Sequence, residues 1–80
     1  MVNINGEIWR VLLVSPEHHN LWVEKEHRYA IGVCDDNQKT IYMDETLEDG
    51  YLKKVLAHEL THAAMFSYNV DLSYEQLFIY

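Results

Sequence analysis

Cysteine, proline and glycine are nearly missing from this chain: one, one and three residues among 80. A lone Cys34 excludes an internal disulfide and favours a reducing compartment. With so little glycine and proline there is no linker, and neither a repeat nor a low-complexity tract occurs, so residues 1–80 read as a single domain. Basic residues are scarce as well. Six Lys and Arg stand against thirteen Asp and Glu, a formal charge of −7, and no basic run is longer than Lys53-Lys54. Nothing here can track a phosphate backbone, which argues against direct nucleic-acid binding. No apolar run approaches membrane-spanning length. The opening MVNINGEIWRVLLV carries Glu7 and no basic stretch before its short apolar run, and reads as structure rather than as a signal peptide. These absences point to a soluble, cytoplasmic chain with no membrane partner.

Apolar residues make up 49% and charged ones 24%, a globular balance well away from that of disordered chains. At this length the core is thin, so a bound metal could supply a real share of the folding free energy. Asn3 to Val14 reads as extended, with the Asn5-Gly6 turn signal ahead of the β-rich run IWRVLLV. Ser15-Pro16-Glu17 has the cap-then-proline form of a helix start, and predicts a short helix to about Val23, held by Leu21 and Trp22. The β-type runs Tyr29 to Val33 and Thr40 to Asp44 flank the turn cluster Asp35-Asp36-Asn37 and predict a hairpin. A helical pattern runs from about Tyr51 to Tyr68, opened near Thr46 to Asp49 and broken at Asn69 to Asp71. Ser73 and Gln76 form a capping box for one more helix. The predicted order is β-α-β-β-α-α, an α+β fold.

Within the long helix stands VLAHELTHAAM, an HExxH pattern with His58 and His62 four apart and Glu59 after the first. Positions four apart lie on one helix face, so both imidazoles can reach one Zn2+ at about 2.0–2.1 Å. Glu59 is rotated about 100° from His58 and flanks that point, where it can take a proton from zinc-bound water whose pKa the metal lowers to about 7. The competing reading is that His and Glu merely share a solvated helix face. Against it, Val55, Met65 and Phe66 continue the histidine side while Leu56, Leu60 and Ala63 make the other side apolar, which predicts a largely buried helix whose polar residues need partners.

HELTHA preceded by VLA, with the hairpin YAIGVCDDNQKTIYMD upstream, resembles the small gluzincin-type metallopeptidases of the ImmA/IrrE family, including the short forms of phages and mobile elements. The likeness spans about residues 29 to 80. It implies a zincin-like fold, a small antiparallel or mixed sheet packed on the HExxH helix, with Lys39 to Asp44 as the edge strand along which an extended peptide pairs. It also implies zinc-dependent cleavage of a protein partner, such as a repressor or another regulatory protein.

A catalytic zinc needs three protein ligands. In the family the third is an acid on the following helix, within an acidic, alanine-rich segment that this chain lacks. Tyr68 occupies the place where a metzincin would put its third histidine, which excludes that class. Glu75 is the candidate third ligand and Asp71 the alternate; a residue beyond Tyr80 would serve if the sequence is a C-terminally truncated piece. The plainer role for Glu75 is a first-turn acid stabilised by the helix dipole. His18, His19 and His27 lack ligand spacing and read as solvated surface. Asp35 and Asp36 beside Cys34 raise a thiol's pKa and argue against a nucleophile. Trp9 and Trp22 read as core or rim.

Three functions are consistent with these residues. The first is a zinc endopeptidase in which Glu59 activates the zinc-bound water. The second is an inactive zincin-fold binding or regulatory module, such as a phage-encoded regulator or inhibitor. The third is a DNA-associated protease of the SprT type, which the charge of −7 disfavours.

Overall fold

The Asn5-Gly6 pair sets the first corner of the chain. Both residues take positive φ, 52° and 85°, as a two-residue primed turn requires, and the twist of such a turn suits a hairpin. The computed structural model describes residues 1–69. In chain order these form β1 (Val2–Ile4), β2 (Glu7–Val14), β3 (Trp22–Val23), β4 (Arg28–Tyr29), β5 (Gly32–Asp35), β6 (Thr40–Asp44) and α1 (Asp49–Tyr68). One mixed sheet has the order β1-β2-β6-β5, antiparallel except for the parallel pair β2 and β6. The architecture is α+β, with one α-helix among the described residues laid against that sheet. No helix among them is long and apolar enough to cross a membrane.

The segment opened by Ser15-Pro16 differs from expectation. No α-helix forms over Pro16 to Val23. The His18 Nδ1 accepts from the Asn20 N–H at 3.1 Å, and a single 3-10 turn covers His19–Leu21. His and Asn are weak helix formers, and the Leu21 carbonyl is instead taken by the Ala30 N–H at 2.7 Å. The chain then runs extended, pairing Trp22 with Tyr29 and Val23 with Arg28. Of the expected order, the helix between the first strands and the hairpin is therefore replaced by this turn and a short ribbon. The second expected helix, from Ser73, lies outside the described residues.

β6 is buried along its whole length. The TIYM run reads as a strand covered on both faces, with α1 over Ile41 and Met43 and the 3-10 turn over the other side, where the His18 ring stacks on Tyr42 at 5.8 Å. Lys39 to Asp44 is thus not an edge. β5 takes that place: it covers Gly32–Asp35 in place of the expected Tyr29 to Val33, so Asp35 of the expected turn cluster is in the strand and the turn to β6 covers residues 36–39.

α1 starts later than Thr46, because the Asp44 carboxylate holds both the N–H and the hydroxyl of that residue, at 2.8 and 2.7 Å. It ends where Asn69 turns left-handed, φ 55°, and donates to the carbonyls of Met65 and Phe66. The helix is not buried on both sides: one row, Val55, Glu59 and Ala63, is covered, Leu52, Leu56 and Leu60 are half-buried beside it, and Phe66 is exposed. The β1–β2 hairpin grips its last turn. Trp9 Nε1–H donates to the Ser67 hydroxyl at 2.8 Å, Asn5 donates to the Ser67 carbonyl at 2.9 Å, and the Phe66 ring lies over Trp9 at 6.5 Å.

Trp9→Ala removes the largest buried side chain and the indole bond at once, and is expected to cost about 3–5 kcal/mol. Ile8→Ala, one residue away on the exposed side, is expected to stay within about 0.5 kcal/mol. Urea unfolding midpoints of the two variants check both.

Candidate metal-binding and catalytic site

The four-residue spacing of His58 and His62 sets their rings edge to face along one flank of α1. The centroids are 4.7 Å apart with planes at 71°, and the two Nε2 atoms stand 3.1 Å apart, close enough for one ring's N–H to donate to the other. Two imidazole nitrogens bound at about 2.0–2.1 Å to one tetrahedral ion lie about 3.3 Å apart. The Nε2 separation is therefore within a few tenths of an ångström of that of two imidazoles sharing one divalent cation.

Glu59 projects from the adjacent, sheet-facing row of the helix. Its side chain is 0% exposed, and neither carboxyl oxygen has a hydrogen-bond partner among the described residues. Burial pushes its pKa up to about 8, so the isolated group is mostly protonated at neutral pH. Across from it lies Gly32 of β5. A Cβ there would come within 2.6 Å of Val55 Cγ1 and 3.0 Å of Glu59 Oε2. Only glycine lets the strand approach this closely, a role that an isolated glycine in a strand run can signal.

Cys34 sits two residues along the same strand. Its thiol is pushed up to about 12, first by burial and then by Glu59, Asp36 and Asp35. The two aspartates act in the expected direction, but burial outweighs them, and the thiol stays protonated. His19 and His27 are exposed as expected. His18 is not solvated surface: it is half-buried, capping the 3-10 turn and stacking on Tyr42. Trp9 is core and Trp22 lies at the rim, its N–H donating to Glu24 at 3.2 Å.

Among the described residues no set of three His, Cys, Asp or Glu side chains converges on one point. The candidate third ligands, Glu75 and Asp71, lie outside the described residues. The donor chemistry that is described, two imidazoles at ligand spacing beside an unpartnered buried carboxyl, suits zinc. The chain matches no protein-family model, no curated protein and no solved structure.

The raised pKa of Glu59 fixes the sign of a pH dependence. Between its ordinary value of 4.5 and about 8, the folded chain holds a proton that the unfolded chain has lost. Stability in the presence of a chelator is therefore fully present at the acid end and falls as pH rises through this window, by at most about 1.4 kcal/mol per pH unit. Glu59→Gln is expected to flatten that slope, as read from urea midpoints at several pH values. Gly32→Ala, which forces a methyl against Val55 and Glu59, is expected to cost about 1–3 kcal/mol in the same assay.

Proposed function

We propose that the chain is a zinc-dependent endopeptidase of zincin-like fold, cleaving a peptide bond of a protein substrate. His58 and His62 hold the metal, with Glu75 as third ligand and Asp71 as its alternate, and Glu59 is the general base. The observation that carries this reading is the Glu59 carboxyl, wholly buried and unpartnered among the described residues beside two imidazole nitrogens 3.1 Å apart. A helix that only packed on the sheet would put an apolar residue there, since an unpaired buried polar group costs about 1–3 kcal/mol. Titratable groups kept at such a cost are candidates for chemistry.

Zinc held by these ligands would supply Lewis-acid polarisation of the scissile carbonyl and a positive charge that favours the ionised form of Glu59. Once ionised, Glu59 accepts a proton from the attacking water and returns it to the leaving amine. Gly32 and Val55 hold the carboxyl in place and keep bulk solvent from it. The edge on which an extended peptide would pair is β5, not β6, because β5 is the outer strand and approaches Glu59 directly. The family resemblance makes regulatory proteins such as repressors the favoured substrates.

One observation favours the second reading, an inactive zincin-fold binding or regulatory module. A carboxyl that is 0% exposed and protonated at neutral pH neither meets a substrate water nor accepts its proton until a cation lowers its pKa. Paired variants separate the two. Glu59→Gln is expected to keep about one zinc per chain yet lose nearly all hydrolysis of unstructured protein substrates, because an amide accepts no proton. His62→Ala is expected to lose both metal and hydrolysis. Metal analysis and a cleavage assay on a panel of proteins read the outcome; a wild type that binds zinc and a partner but cleaves nothing supports the binding module instead.

A further inference from the structure

Over Arg10 to Val14, β2 is paired with a strand on one side only, among the described residues. β1 reaches no further along it than Trp9, while β6 flanks Arg10 to Val14. On the β6 side the Arg10 N–H donates to the Lys39 carbonyl and the Val14 carbonyl accepts from the Glu45 N–H, both at 2.9 Å. Backbone groups alternate in direction along a strand, so the N–H and C=O of Val11 and Leu13 point the other way. Among the described residues no strand lies there to meet them. The side chains of this edge are apolar and open to solvent: Leu12 is 39% exposed and Leu13 is 53% exposed. Soluble proteins guard such edges with charge, proline or a bulge, and here the only charged residue is Arg10.

We propose that this edge is a homodimer interface, in which two copies pair antiparallel through Arg10 to Val14 about a two-fold axis at Leu12. The two four-stranded sheets then join into one continuous sheet. Backbone parity selects this register. Pairing centred on Leu12 sets Val11 opposite Leu13 of the second copy and Leu13 opposite its Val11, so that each outward N–H and C=O meets its complement. The interface is isologous, as a two-fold axis demands. Side chains agree, since Leu12 packs on its own symmetry mate on one face and Leu13 on Val11 of the second copy on the other.

Charge selects the direction. In the antiparallel pair, Arg10 comes to the Val14 end of the second copy, from which the chain leads to the exposed acid Glu17 three residues on. An in-register parallel pair would instead set Arg10 against Arg10, and like charges directly opposite are destabilising.

Sedimentation equilibrium of the wild-type chain is expected to show a concentration-dependent dimer, twice the chain mass. In hydrogen exchange, the Val11 and Leu13 amides are expected to gain protection as concentration rises, while those of Arg10 and Leu12, already directed at β6, do not change. Leu12→Lys places two like charges across the axis at a solvent-exposed position, and is expected to leave a monomer with wild-type far-UV circular dichroism. Arg10→Glu, a surface change, is expected to weaken association severalfold and keeps the test valid should Leu12→Lys unfold. A wild type that is monomeric at every concentration overturns the proposal, as does a folded Leu12→Lys dimer. Concentration-independent protection of Val11 and Leu13 overturns it too, by assigning the edge to a segment of the same chain.

Discussion

The burial of the Glu59 carboxyl is the constraint around which strand and helix are arranged. A carboxyl withdrawn from water with no hydrogen-bond partner among the described residues costs more than a typical hydrogen bond returns, and a domain of this size has only about 5–15 kcal/mol of net stability to set against it. Two features limit the cost. The group takes up a proton, because burial raises its pKa to about 8, so no bare charge is buried. And Gly32 lets β5 close over it, with Val55 on the same helix row completing the wall. The property that would make Glu59 useful for moving protons is the one that weakens the metal-free fold.

The rest of the small core compensates by locking both ends of the helix. At its start, Asp44 and Thr46 fix the turn out of β6. At its end, Trp9 and Asn5 both hold Ser67, so the β1–β2 hairpin and the last helical turn form one unit. Between these anchors Ile41, Met43, Val55 and Ala63 fill the space with Trp9. A cation on His58 and His62 would add its binding free energy to this core, since ligands preformed on a helix bind the native state better than the unfolded one.

What could be read from the sequence was whatever depends on neighbours along the chain. Asn5-Gly6 specifies its turn because the φ values are local, Asn69 ends the helix for the same reason, and the histidine pair follows from helical spacing alone. What could not be read depends on pairing across the chain. The Pro16 to Val23 segment carries a sound helix start, yet the Leu21 carbonyl is claimed by Ala30 nine residues later, and a tertiary bond outweighs weak local propensity. Strand order is likewise non-local. β2 inserts beside β6 and turns the expected edge strand into an interior one, which moves the proposed peptide-pairing edge to β5. Gly32 could have been singled out, since an isolated glycine in a β run asks what approaches it.

Besides the three-residue β1, the sheet of the described residues has two open stretches of edge, and their chemistry differs in a way that separates their roles. β5 ends in Asp35 with Asp36 beyond it, acids that discourage a second copy of an acidic chain from pairing there. A peptide of other composition meets no such barrier, and it would arrive beside Glu59. The outer half of β2 carries no acid between Arg10 and Val14 and is apolar on both faces, so repulsion does not oppose self-pairing. Charge placement thus favours β2 over β5 for the proposed self-association and leaves the strand beside the candidate site open to a different chain.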